Sequence, residues 1–385
     1  MSATTAVANA AAAAAAPPVP APRAAAVGAP GPLHWDGSAG RLVAIGLGNL
    51  ALSIVTLGLF RFWGTVRFRR HLWAHQEFLG ARLEYTGTGG ERFRSFLKAL
   101  LVAAPALLLL SLAEALLAPH PTAARAFAAV KLAGLTYFVG LAAHAARRYI
   151  AGRTLWRGLR FMVTGSPWRF GLVSLGWTAL ALVTLGLAYP LAVAAQARWT
   201  LGRLHLGTAP LRFDGTAREL LRPWLAVWGF AAATGLSLWL LFGWGLAIRL
   251  AGHIPAGADP TGATRVSIFA TVAALCVLPA ALVGFFAWSA SAMRWRAEHT
   301  LLGGARFSMP GATGWAVFRL LSGNLLISVL SLGLLSPVAM ARNAAFTARH
   351  LRLDRAPDLS AARQTERGPG TGEGVADLLG AGAFG

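Results

Sequence analysis

The chain has 385 residues, of which 56% are hydrophobic and only 13% charged, with a positive mean hydropathy. A soluble domain is about 45–50% apolar and about 25% charged, so this composition excludes a water-solvated surface around the whole chain and leaves lipid as its solvent. The net charge of +21 lies in short arginine blocks between apolar runs, a distribution that argues against a nucleic-acid footprint and for anionic membrane lipids as partners.

Residues 1–32 are Ala- and Pro-rich with no basic start, and read as a disordered tail, not a secretory signal. Apolar runs of membrane-spanning length follow near 42–63, 97–118, 127–146, 170–195, 224–248, 266–290 and 315–340. The single cysteine, Cys276, lies inside the sixth run, where it reads as a small buried hydrophobe; no intrachain disulfide can form. Residues 356–385 are Gly-rich and polar and read as a second disordered tail. The membrane domain is therefore expected over 33–355.

Three of the runs share a signature. Thr56-Leu57-Gly58-Leu59 recurs as Thr184-Leu185-Gly186-Leu187 and as Ser331-Leu332-Gly333-Leu334. From Gly58 to Gly87 and from Gly186 to Gly215 the spacing is the same, 29 residues, and between the first and third copies Asn49 falls on Asn324, Ser53 on Ser328 and His75 on His350. Repeat units are thus expected near 41–87, 169–215 and 316–355, separated by helical hairpins at 97–146 and 224–290. A shorter unit, an aromatic residue followed by a glycine turn, recurs five times: Trp35-Asp36-Gly37, Tyr85-Thr86-Gly87, Phe161 to Gly165, Phe213-Asp214-Gly215 and Phe307 to Gly311. Alternating stretches such as Arg82-Leu83-Glu84-Tyr85 before these turns predict short strands near 82–86, 159–163, 210–214 and 304–308.

The stretch NLALSIVTLGLFRFWGTVRFRRHLWAH at 49–75, followed by GARLEYTGTGGE at 80–91, resembles the YjgN-like family of bacterial inner-membrane proteins. The resemblance covers about residues 33–355 and is most specific over 49–91. It implies an integral, multi-pass protein of the bacterial inner membrane, and it implies no activity, because the family is functionally uncharacterised and offers no catalytic residues to carry over. The second copy of the repeat departs from the first, with Pro190 in the place of Phe62 and Trp177 in the place of Asn49.

Arginine counts orient the chain. The loops 64–96 and 147–169 and the segment from 341 onward hold six arginines each, whereas the hairpin tips 119–126 and 249–265 hold one and two, so the tips belong outside. If the second repeat unit spans the bilayer, 196–222 with its five arginines also lies outside. Re-entry at each T-L-G junction instead keeps all the basic loops and strand-turn elements in the cytoplasm. The length of 42–63 favours spanning, charge and repetition favour re-entry, and the expectation adopted is re-entry or a strongly tilted, broken helix. The fold class expected is an all-α polytopic membrane protein with internal repeats and short cytoplasmic strands.

Ionisable and polar groups at membrane depth are functional candidates. Glu114 and Lys131 lie at similar distances from the tip of the first hairpin and are expected to face each other, and Asn49 and Asn324 occupy equivalent repeat positions. Arg67, Arg69, Arg70, Trp63 and Trp73 form a basic-aromatic stretch expected to contact lipid headgroups. His71 and His75 share a helix face, but Leu72 stands where a zincin requires Glu, and no metal or other cofactor is expected. No nucleophile, base and acid fall into a catalytic pattern, so the chain is not expected to be an enzyme. Two functions remain: transport or channel-like activity, drawn from the interrupted membrane segments and polar groups, and a lipid-binding, membrane-organising scaffold.

Overall fold

The computed structural model describes residues 32–250, 281–333 and 335–364, without the side chains of 237–250. The first tail up to residue 31, the second hairpin tip from 251 onward, Cys276, Leu334 and the tail from 365 onward lie outside the described residues. Ten short strands pair in chain order into one antiparallel sheet. They are β1 (Leu33–Trp35), β2 (Gln76–Phe78), β3 (Ala81–Tyr85), β4 (Thr154–Trp156), β5 (Leu159–Val163), β6 (Leu204–Leu206), β7 (Ala209–Phe213), β8 (Thr300–Leu302), β9 (Ala305–Ser308) and β10 (Arg352–Leu353). Tight two-residue turns close the hairpins β2–β3, β4–β5, β6–β7 and β8–β9. Leu79-Gly80, Arg157-Gly158 and Gly303-Gly304 all carry positive φ, the backbone that suits the right-handed twist of paired strands.

The other neighbouring strands are joined through pairs of helices. Between β1 and β2 stand α1 (Ala39–Val55) and α2 (Arg61–Ala74), and between β3 and β4 stand α3 (Gly89–Leu117) and α4 (Pro121–Gly152). Next come α5 (Pro167–Val183) with α6 (Tyr189–Leu201), then α7 (Ala217–Leu250) with α8 (281–298), and last α9 (Gly314–Leu330) with α10 (Ser336–His350). Because β1 pairs with β2, β3 with β4, β5 with β6, β7 with β8 and β9 with β10, each helical pair leaves the sheet and returns to it.

The all-α expectation is overturned by this sheet, which is nearly closed into a barrel. The strands expected from sequence are β3, β5, β7 and β9; the other six have two or three residues each, too few to display a two-residue period, and are held by their partners. Only α3 and α4 are long and apolar enough to cross a membrane among the described residues; the runs at 42–63 and 315–340 break into shorter helices.

Alternate strand positions build the core. Phe78, Trp156, Leu159, Leu206, Leu211, Leu302 and Phe307 are buried together, and the Trp156 indole donates to the Phe78 carbonyl oxygen at 2.6 Å. Residues 356–364, which composition assigns to a tail, are packed against this core through Leu359 and Ala362. The backbone of this segment is tied to the hairpin turns: Asp358 N–H donates to the Gly303 carbonyl oxygen at 2.8 Å, and Thr208 N–H to that of Arg363 at 3.0 Å. Gly207 has positive φ, and a Cβ there would collide with the Arg363 carbonyl oxygen. Gly207→Val should therefore detach this segment: limited trypsin digestion is expected to cut after Arg355 or Arg363 at least several-fold faster than in the wild type. Unchanged cleavage would show that the contact does not hold the segment.

Candidate functional site

Three helical pairs reverse at the same Thr/Ser-Leu-Gly junction. The Thr56 hydroxyl donates to the Leu52 carbonyl oxygen at 2.7 Å and accepts from Phe60 N–H at 2.9 Å, while Gly58 N–H donates to the Ser53 carbonyl oxygen at 2.6 Å. Thr184 makes the same two bonds with Leu180 and Ala188, and Ser331 with Ile327 and Leu335. One hydroxyl thus satisfies backbone groups on both sides of the break. Leu57, Leu185 and Leu332 have φ of 51°, 50° and 49°, a left-handed state uncommon for residues other than glycine. Their side chains are 94%, 82% and 92% exposed, so burial within the chain does not offset the strain.

The sheet ends of the pairs recur as well. The rings of Trp35, Tyr85 and Phe213 lie over Gly37, Gly87 and Gly215, and a Cβ at 87 would come within 2.6 Å of the Tyr85 hydroxyl. Hence the aromatic-x-Gly pattern. The residue after each of these glycines, or after Ala312, immediately precedes a helix, and Ser38, Thr88 and Thr313 cap theirs by accepting from N–H groups of Arg41, Glu91 and Ala316. Arg82 bridges Asp36 and the Ala74 carbonyl oxygen, and Arg306 bridges Asp214 at 2.9 Å and the Glu298 carbonyl oxygen at 2.6 Å. The Arg82 guanidinium beside Asp36 holds its carboxyl below the usual carboxylate range. Arg153 pairs with Glu91 at 2.8 Å, and Arg70 donates to the Gly87 carbonyl oxygen at 3.0 Å. Many arginines near the sheet therefore brace the bases of the helical pairs.

The four polar candidates from sequence do not form one site. Lys131 Nζ lies 2.7 Å from both carboxylate oxygens of Glu114 at the far end of the α3–α4 hairpin. Asn49 donates to the Gly64 carbonyl oxygen at 3.1 Å, tying α1 to α2, and Asn324 donates to the Asn343 side chain at 2.7 Å, tying α9 to α10. Of the five residues expected at lipid headgroups, Arg67, Arg70 and Trp63 are exposed. Arg69 is only 2% exposed and donates to the Tyr85 hydroxyl at 3.2 Å, and half-buried Trp73 donates to the Thr154 hydroxyl at 2.9 Å. These two point inward because the strands fold back over α2. The rings of His71 and His75 are 4.1 Å apart, and His75 Nδ1 faces the His71 carbonyl oxygen at 2.8 Å; among the described residues no third metal ligand joins them.

Sequence reasoning missed the Arg82–Asp36 and Arg306–Asp214 bridges, although both Asp-Gly dipeptides were visible as turns. It also missed His144, fully buried and stacked on Phe170 at 5.0 Å, which a lone histidine in a helix does not signal.

The chain belongs to the family described as bacterial protein of unknown function (DUF898), whose model matches residues 30–378. This is the YjgN-like family that residues 49–91 resemble. No curated protein and no solved structure matches the chain.

The Glu114–Lys131 pair supports a direct test. Removing one partner leaves the other charge on an apolar helix, and removing both does not. Glu114→Ala is expected to lower the melting midpoint in detergent more than Glu114→Ala combined with Lys131→Ala. Equal, additive losses would mean that the two groups contribute independently.

Proposed function

We propose that this member of an uncharacterised bacterial family is a multi-pass inner-membrane protein with its sheet on the cytoplasmic face, acting in transport or as a channel. The observation that carries the reading is the set of three bare leucine tips at Leu57, Leu185 and Leu332. Each sits in a junction whose leucine and glycine N–H groups donate to carbonyl oxygens of the preceding helix and whose break is bridged by one Thr or Ser hydroxyl, partners of the kind that irregular backbone in hydrocarbon requires. From the Leu57 tip to Arg67, where the block Arg67, Arg69 and Arg70 begins, the chain rises about 15 Å at about 1.5 Å per residue, and Arg61, at the start of α2, lies over the Phe62 and Phe96 rings. The hydrocarbon core is about 30 Å thick, so such a hairpin ends near its middle. Three half-depth hairpins beside the long α3–α4 pair match the interrupted segments common in transporters.

Charge supports the orientation. Among the described side chains, Arg125 and Lys131 alone stand on the distal part of the α3–α4 hairpin, and the other basic residues are closer to the strands along the chain. A second reading, a lipid-binding scaffold, is favoured by exposed Trp63 and Arg67, both packed on the Phe60 ring. Neither reading includes a catalytic step.

Reporter fusions after Gly87 and Gly215 should both show cytoplasmic activity, and a cysteine at Thr122 should react with an impermeant thiol reagent on intact spheroplasts. A periplasmic signal after Gly215 would overturn the re-entrant arrangement. For function, vesicles reconstituted with the protein should release a subset of small trapped solutes faster than empty vesicles. No release of any solute, together with binding to anionic vesicles that falls steeply with salt, would select the scaffold.

A further inference from the structure

The helical pairs stand in a ring over the sheet. α2 packs against α3, α4 against α5, α5 against α6 and α6 against α7, and α10 closes the ring against α1. Trp288 of α8 packs with Leu220 of α7, and Gly314 at the start of α9 lies against Ala287 of α8. The sheet ends of α4 and α8 are well separated in this ring, because β5, β6 and β7 stand between β4 and β8. Four strand spacings of about 4.8 Å each make roughly 19 Å along the sheet. Arg147 and Arg296 precede Thr154 of β4 and Thr300 of β8 by seven and four residues. The charge of Arg296 nevertheless acts on Arg147. Charges across open solvent are screened within about 10 Å, so both side chains reach inward over the interior of the ring.

The fold makes no use of these two charges. Both side chains are accessible to solvent, yet surrounding protein shields them from bulk water, a combination that fits an interior and not an outer rim. Arg147 lies 5.8 Å from the centre of the Phe170 ring, and Arg296 is close enough to Tyr189 for the phenol to act on it. Among the described residues neither guanidinium has a hydrogen-bond or ion-pair partner, and no carboxylate acts on either. Arg82, Arg153 and Arg306, by contrast, each hold a carboxylate. Two like charges kept together and partly desolvated cost free energy unless an anion joins them. A guanidinium fork pairs with the oxygens of a carboxylate or a phosphate, and two facing forks balance the charge of a dianion. A phospholipid phosphodiester carries only one negative charge and matches the pair less well.

We propose that Arg147 and Arg296 form a binding site for a small dianionic oxyanion, such as inorganic phosphate or a short dicarboxylate, inside the helical ring at its sheet end. As an identification of the solute class, this rests on the transport reading; as a binding site it does not.

The test uses the full chain purified in detergent at mildly alkaline pH and constant ionic strength, with succinate and inorganic phosphate as probes and acetate as the singly charged control. Succinate or phosphate should raise the melting midpoint in a saturable manner, and acetate should not. Arg147→Gln and Arg296→Gln should each weaken that binding about tenfold, as loss of one charge-assisted contact implies. Without ligand both variants should melt no lower than the wild type, because one of two repelling charges is gone. Arg125→Gln, on the distal hairpin, should keep the wild-type shift. Reconstituted vesicles separate the site from the transport reading. Release of trapped succinate faster than trapped glucose, slowed in both Gln variants, places the site on the solute path. Saturable binding with no release of any solute keeps the site and rejects transport. No saturable shift with either dianion, an equal shift with acetate, or a shift unchanged in Arg147→Gln and Arg296→Gln overturns the proposal, whatever the vesicles release. So does a lower unliganded midpoint in both Gln variants, which would make the two arginines structural.

Discussion

Antiparallel pairing across the base of every helical pair is the constraint on which the rest of this structure depends. A strand enters the sheet, the chain departs through two helices, and the next strand hydrogen-bonds to the first. Strands of two to five residues have no stability alone in water, so both must be present at the same edge for either to persist. The helices between them can vary in length without disturbing this. α3 and α4 run 29 and 32 residues, whereas α1 and α2 run 17 and 14, and both pairs close onto the same kind of strand partnership.

The bases of the helical pairs carry the chemistry that makes such closure specific. An aromatic ring on a glycine fixes where the strand ends, a Ser or Thr starts the helix one residue later, and arginines reach back to carbonyl oxygens at the end of the returning helix. Much of the positive charge near the sheet is thereby engaged in the fold. Exposed ion pairs contribute little each to stability; their value here is geometric, since Arg82 and Arg306 each join a strand, a helix end and an Asp-Gly turn.

A good part of this was legible in the residues. The T-L-G junctions stood out because a Thr or Ser hydroxyl, a left-handed leucine and a glycine are required together, and the aromatic-glycine units stood out because the ring needs a residue without Cβ. β3, β5, β7 and β9 were visible through alternation. Their partners were not: Gln76–Phe78, Thr154–Trp156, Leu204–Leu206 and Thr300–Leu302 are three residues each, and nothing local distinguishes them from the ends of the preceding helices. The all-α expectation came from this gap. Arg69 and Trp73 were read as facing headgroups because a basic-aromatic helix looks interfacial, and only the return of the chain over α2 turns them inward. Asn49 and Asn324 were read as membrane-depth polar sites, whereas each serves to lock two arms of one hairpin.

The central claim is that the short helical pairs reverse direction inside the bilayer. Spin labels at positions 57, 185 and 332, in the full chain reconstituted into lipid, measure this directly through their relative collision rates with oxygen and with a water-soluble nickel chelate. All three labels should show high oxygen and low nickel accessibility, at depths near the bilayer centre. Nickel accessibility at the level of an aqueous loop for any of them would contradict the account, because that pair would then either cross the membrane or lie outside it.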